Sequence, residues 1–218
     1  MIKICAIADL HGWLPKVPEC DLLLIAGDIC SSSRILDQEL FLRHKVEKWL
    51  DEMPAKEVVF VAGNHDWIFQ KARELVPKLP WYYLEDSPVE LFGLKIWGTP
   101  HQREYNSWAF NLPESELQLR FEKIPTDTDI LVTHSPPYGL GDHVLDAGHV
   151  GSTSLRTRLE QLNIKLHTFG HIHEGRGIFE FNKTLCVNST LVDENYRKVY
   201  TPLSFVYDNG TITYGTPQ

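Results

Sequence analysis

The sequence predicts an α/β protein with two sheets and helices outside them. Three observations lead there. Five short apolar runs recur, Ile2 to Ala8, Asp21 to Ala26, Val58 to Ala62, Asp129 to Thr133 and Leu166 to Phe169, each ending in polar residues. They are mostly continuous in hydrophobicity rather than alternating, as strands buried on both faces are. Segments with helical spacing separate several of them. The last third offers paired short strands instead: Gly177 to Phe181 with Leu185 to Asn188, and Leu203 to Tyr207 with Thr211 to Tyr214. Asp208-Asn209-Gly210 joins the second pair as a strong hairpin signal. The chain thus opens as βαβ units and closes as a β meander. With no repeat, low-complexity tract or linker, it reads as a single domain over residues 1–218.

Each element has a local reason. The first run carries Lys3 and stops at Asp9, too short for a signal peptide or a membrane span. Between Ile35 and Met53, Leu36, Leu40, Val46, Trp49, Leu50 and Met53 form one apolar helix face, and Pro54 ends it. Trp67 to Val76 and Glu114 to Lys123 are further helix candidates. Ser152 or Ser154 can cap a helix through Leu155, Leu159 and Leu162. Trp81, Tyr82 and Tyr83 read as core or edge-strand packing.

At 218 residues and 43% apolar content, the chain can bury a substantial core. Its net charge of −8 leaves no broad basic surface, which argues against gripping long nucleic acid. A small phosphate-ester substrate stays compatible, because a metal centre brings its own positive charge. Cys5, Cys20, Cys30 and Cys186 form no Cys-x-x-Cys pair and read as buried, reduced thiols. A reducing cytoplasm is the expected location, with no membrane partner.

The polar groups that end the five runs are Asp9-Leu10-His11, Gly27-Asp28, Gly63-Asn64-His65-Asp66, His134 and Gly170-His171-Ile172-His173. Singly each is ordinary: a strand-end His is usually a surface residue, and Gly-Asp or Gly-Asn is usually a turn. Five in succession at strand ends point to a metal centre. Its candidate ligands are Asp9, His11, Asp28, Asn64, His134, His171 and His173. Residues i and i+2 of a strand share a side, so Asp9 and His11 can reach one ion together, as can His171 and His173 if the strand geometry runs on. Mixed carboxylate and imidazole donors suit two divalent ions of Mn, Fe or Zn without deciding among them. Asp28 is the natural bridge. Hydrolysis of a phosphate ester by a hydroxide held on the metals is the expected chemistry. His65 stands where it can protonate the leaving alkoxide.

This order of motifs resembles the calcineurin-like metallophosphoesterases over roughly residues 1 to 190. The resemblance implies a four-layered α/β/β/α sandwich of two mixed sheets flanked by helices. It implies one metal on Asp9, His11, Asp28 and His173 and a second on Asp28, Asn64, His134 and His171. His65 would be catalytic, and Asn64 and His65 would bind substrate. Gly98-Thr99-Pro100, Thr133-His134-Ser135-Pro136-Pro137, Asn188-Ser189 and Asn195-Tyr196-Arg197 are similar to the small metallophosphoesterase-domain subfamily first noted as brain proteins. That implies a phosphodiesterase, with manganese favoured in vitro and cyclic nucleotides among the substrates. His171, replaced in inactive members, is present here.

The departures matter too. Ser31 and Ser32 stand where the family's protein phosphatases carry Asp and Arg, and Asp66 replaces their Glu. The usual partner that orients the catalytic His is missing, which leaves Asp66 as an open candidate for that role. Phosphomonoesterase, protein phosphatase, nuclease and non-catalytic protein-binding scaffold are the alternative readings. His101 is a candidate substrate contact, and Gly139 to Gly151, with His143 and His149, a candidate pocket loop. Arg34 and His44 read as solvated, and Cys30 as a bystander near Asp28.

Overall fold

The computed structural model describes residues 1–215, so the last three residues of the expected domain lie outside the described range. The strands are β1 (Ile2–Ile7), β2 (Cys20–Ala26), β3 (Ala55–Val61), β4 (Tyr82–Tyr83), β5 (Ser87–Leu91), β6 (Leu94–Thr99), β7 (Gln102–Arg103), β8 (Asn111–Leu112), β9 (Ile130–Thr133), β10 (His143–Val144), β11 (Gly148–His149), β12 (Leu166–Phe169), β13 (Gly177–Phe181), β14 (Thr184–Asn188), β15 (Leu203–Asp208) and β16 (Thr211–Tyr214). The helices are α1 (Ile35–Phe41), α2 (Glu47–Asp51), α3 (Trp67–Lys71), α4 (Glu114–Phe121) and α5 (Thr153–Glu160).

Two six-stranded sheets form, in the orders β16-β15-β1-β2-β3-β4 and β13-β14-β12-β9-β6-β5. Each has a run of parallel strands, β1 to β4 in one and β6, β9, β12 and β14 in the other; antiparallel pairing closes one margin of the first sheet, at β15 and β16, and both margins of the second, at β13 and β5. Period-2 alternation divides the buried side chains between two faces. Ile4, Ala6, Leu22, Leu24, Val59 and Val61 of the first sheet pack on Ile96, Ile130, Val132, Leu166 and Val187 of the second. The intervening Cys5, Ile7, Leu23, Ile25 and Phe60 face Leu42, Val46, Leu50, Ile68 and Phe69 of the helical layer. Trp97 and Leu131 face Leu117, Phe121, Leu155 and Leu159 of α4 and α5 on the far side. The result is helix, sheet, sheet, helix. The mixed-sheet α/β expectation holds.

Three local readings need correction. The terminal strands do not form one meander. β13 and β14 close the second sheet, whereas β15 and β16 join the first beside β1. The Asp208 hairpin itself is as expected, with Asn209 and Gly210 at positive φ (47° and 85°) as a type I′ turn requires. The β5–β6 hairpin went unrecognised because Pro88, Glu90 and Lys95 dilute its apolar pattern; β5 is an edge strand, where Pro is tolerated.

The apolar face assigned to residues 35–53 is the third correction. A π-helical turn, Leu42–Val46, separates α1 from α2 and shifts the phase of the helix. Leu36 and Leu40 are consequently 56% and 45% exposed, while Gln38 points inward and is buried. The other helices start close to where they were placed, and Ser152 Oγ accepts the Leu155 N–H as the cap of α5. Trp81 stacks on Phe60 with centroids 4.3 Å apart, and Tyr83 stacks on Phe69, so this aromatic run is packing. Among the described residues no helix is long and apolar enough to cross a membrane.

Phe60 lies fully buried between sheet and helices, against Phe69, Trp81 and Tyr83. Phe60→Ala is expected to destabilise the fold by about 3–5 kcal/mol, read as a lowered urea midpoint at unchanged slope.

Candidate metal centre

The parallel strands of both sheets point their C-terminal ends at one place. Asp9 follows β1, Asp28 follows β2, Asn64 follows β3, His134 follows β9 and His171 follows β12. Backbone bonds tie these ends together. Asp9 N–H donates to Gly27 O, His11 N–H to Asp28 O, Gly170 N–H to His134 O, and Leu191 N–H to Ala8 O. Ligands from separate strands meet because little stands between them. A Cβ on Gly63 would lie 2.3 Å from Asp28 Oδ1, and one on Gly170 would lie 2.1 Å from Asp9 Oδ2.

All seven expected ligands converge. Donor atoms of Asp9, His11 and His173 lie within 4.8 Å of one another, as do those of Asp9, Asp28 and His134, and those of His11, Asp28 and His65. Asn64 Oδ1 sits 2.7 Å from both His134 Nε2 and His171 Nδ1. Asp28 Oδ2 lies 3.7 Å from His11 Nε2 and 3.5 Å from His134 Nε2, between the two expected ligand sets. The same-side argument for Asp9 and His11 fails in its reason. Asp9, His11, Asp28 and His171 all have positive φ (55°, 42°, 55° and 69°), so turns rather than extended strand aim them. Such backbone costs roughly 1–3 kcal/mol per non-glycine residue and concentrates where function requires it.

The donor chemistry fits cations. His134 Nδ1 donates to Ala26 O at 2.9 Å, which leaves the Nε2 lone pair facing the Asn64 carbonyl oxygen. His173 Nδ1 donates to Asp193 O at 3.1 Å, which leaves Nε2 facing His11 Nε2 at 3.4 Å. The Asn64 oxygen opposing the His134 Nε2 lone pair at 2.7 Å is repulsive, and a cation between them makes the pair attractive. Backbone carbonyls fix the tautomers in the way metal-binding histidines require.

Burial holds His134 and His171 below the ordinary imidazole range and brings His11 down to about 3, so these rings stay neutral and ready to ligate. Asp9 is lowered despite its burial, by the hydrogen bond and charge of His173 and then by the other rings. Asp28 is raised, by burial first and then by Asp66 and Asp9. His173 is also raised; the hydrogen bond and charge of Asp9 outweigh its burial.

Asp66 does not orient His65. Its buried carboxylate accepts the N–H groups of Ile29 (3.3 Å), Cys30 (2.9 Å) and Gly63 (2.8 Å), clamping the Asp28 and Asn64 loops together. The His65 N–H donates to Asp28 Oδ1 at 2.7 Å, and its ring lies 5.0 Å from that of His11 and 5.7 Å from that of Trp108. Cys30 is buried, and its thiol is in none of the ligand triads.

Five of the ligands, His11, Asp28, Asn64, His171 and His173, line a cavity of about 430 Å³. Trp108 lines it beside His171, and Tyr196 lines it beside His11 and His173. Val144, Ala147, Val150 and Ile172 add apolar wall, so the Gly139 to Gly151 segment does shape the pocket. The buried Asp142 carboxylate holds that loop through the Gly139 and Gly151 N–H groups and His149. His101 is not in the cavity; it is buried 3.3 Å from Asp86 because the chain after β6 turns inward. His44 is exposed, and Arg34 is an exposed helix-start residue beside Asp37. Sequence reasoning assigned no role to Trp108, Tyr196 or Asp193. Tyr196 belongs to the Asn195-Tyr196-Arg197 motif already noted and Asp193 lies two residues before it, whereas nothing near Trp108 marks it.

Protons compete with metal for these donors, and the raised Asp28 and His173 strengthen that competition. Affinity should therefore fall as pH falls, and calorimetry in buffers of different ionisation enthalpy should show net proton release. An affinity independent of pH would contradict this.

The comparisons agree with this geometry. Residues 2–175 match the family model for calcineurin-like phosphoesterases. The chain is 30% identical to human metallophosphoesterase domain-containing protein 1, over 92% of this chain and 69% of that protein. It is also 30% identical to a UPF0046 protein of Caenorhabditis elegans, over 94% of this chain but only 59% of the nematode protein. The fold of Mycobacterium tuberculosis phosphopantetheinyl hydrolase superposes with a TM-score of 0.53 at 16% identity, covering 91% of this chain and 93% of that one. Two sheets whose strand ends bring Asp, Asn and His donors together, and a family match over most of the chain, lead to one conclusion: the protein belongs to the calcineurin-like phosphoesterase family.

Proposed function

We propose that the protein is a dinuclear-metal phosphodiesterase acting on small phosphodiesters, cyclic nucleotides among them. The observation that carries this reading is the convergence of seven donors, five of which (His11, Asp28, Asn64, His171 and His173) line one cavity with aromatic and apolar walls while Asp9 and His134 lie buried against them. Asp9, His11, Asp28 and His173 would hold one ion, and Asp28, Asn64, His134 and His171 the other. When bound, two divalent ions activate water and hold the phosphoryl oxygens for in-line displacement. Manganese is the proposed metal for activity in vitro.

The chain's own groups do the rest. Asn64 and His65 border the cavity where the phosphate would lie. The His65 ring accepts or donates no side-chain hydrogen bond among the described residues, so it is available to protonate the leaving alkoxide. Trp108 and Tyr196 offer flat surfaces to a second ester substituent, which a diester has and a monoester lacks. Glu104, Glu174 and Glu194 line the rim with only Arg103 opposing them, which disfavours dianionic monoesters and extended polynucleotides. Four buried, free thiols support a reducing, cytoplasmic setting.

With Mn²⁺, bis-p-nitrophenyl phosphate is expected to be hydrolysed faster than p-nitrophenyl phosphate. Asp28→Ala and His134→Ala should abolish turnover without loss of fold. His65→Ala should lower kcat on alkoxide-leaving substrates by roughly 10²–10⁴-fold. Preference for the monoester would indicate a phosphatase. Wild-type turnover in the ligand variants would overturn the centre.

A further inference from the structure

Gln38 is an anomaly in its helix. It occupies an inward position on α1 with 1% of its surface exposed, where an aliphatic side chain would pack without cost in polar desolvation. Its amide is fully satisfied. Nε2 donates to Ser32 O at 2.5 Å and to His65 O at 2.7 Å, and Oε1 accepts the Ile68 N–H at 2.8 Å. One side chain thus joins the loop after Asp28, the loop after β3 and the first turn of α3.

The carbonyl it holds belongs to His65. The N–H of that same residue is held by Asp28 Oδ1 at 2.7 Å. Both peptide groups flanking the His65 Cα are therefore fixed, and the Cα–Cβ direction with them. The neighbouring rings of His11 and Trp108 limit what the imidazole can then do. No carboxylate hydrogen-bonds the His65 ring among the described residues, and Asp66 bonds only backbone N–H groups of other residues.

From this geometry we infer that Gln38 is a positioning residue for His65: it holds the backbone from which the imidazole reaches the substrate, in place of a carboxylate partner on the ring. The inference rests on the proton-donating role proposed for His65. It also explains why a polar side chain occupies a helix position that packing alone would give to leucine or methionine.

The test compares Gln38→Met, His65→Ala and the double variant on two substrates. Bis-p-nitrophenyl phosphate releases an aryl oxide that needs little protonation, whereas a 2′,3′-cyclic nucleotide releases an alkoxide. Gln38→Met should slow the cyclic nucleotide by about 10²-fold, the effect of misplacing a catalytic group by an ångström, and the aryl diester far less. Metal content should match the wild type, and the double variant should be no slower than His65→Ala. In the metal-free protein, nuclear Overhauser contacts between the His65 and His11 rings should weaken. Equal losses on both substrates, multiplying losses in the double variant, or unchanged ring contacts would overturn the inference. An unselective His65→Ala would instead overturn the reading of His65 itself. Should Gln38→Met not fold, Gln38→Glu keeps the acceptor for Ile68 while removing both donors, and the same comparisons apply.

Discussion

Three carboxylates buried side by side set the terms for everything around them. Asp9, Asp28 and Asp66 are at most 2% exposed, and burial of like charges together is costly. The structure meets that cost differently for each. Asp66 takes three backbone N–H groups and becomes a structural clamp. Asp9 takes the His171 N–H on both oxygens and lies 3.6 Å from His173 Nε2. Asp28 receives only the His65 N–H and lies between the imidazole nitrogens of His11 and His134. A carboxylate so placed is a cation ligand waiting between two sets of donors.

The fold supplies this convergence through strand direction. Ligands of open α/β sheets collect at the carboxyl ends of strands, and here two such sheets present those ends to the same space. The sheets are joined there by backbone bonds, Ala8 to Ser189 and Leu191 among them, rather than by long side chains. Short polar turns at the ends of β1, β2 and β12 carry left-handed backbone at Asp9, Asp28 and His171, and the rigid double sheet absorbs that strain. Mobile loops would leave the donors too loosely placed for metal geometry.

Much of this was legible from the chain, and for a physical reason. Strands buried on both faces must be continuously apolar, so a polar group at the end of each is conspicuous. Asp9, Asp28, Asn64, His134 and His171 were therefore readable one after another. The geometry that unites them was not: the positive φ at Asp9 and His11 has no sequence signature beyond the neighbouring glycines. Trp108 and Tyr196 become pocket walls only through tertiary placement of their loops. Gln38 was hidden for another reason. A single π turn rotated α1 so that a polar residue faced inward, and periodic spacing cannot register an inserted residue. The pairing of the last four strands, two on each sheet, is likewise a tertiary choice that their own spacing does not encode.

The most direct test of the account is anomalous diffraction from crystals grown with Mn²⁺. Two peaks about 3.5–4 Å apart with the Asp28 carboxylate between them are the predicted result. A single peak, or a pair that Asp28 does not bridge, would contradict the claim that these seven side chains form one dinuclear centre.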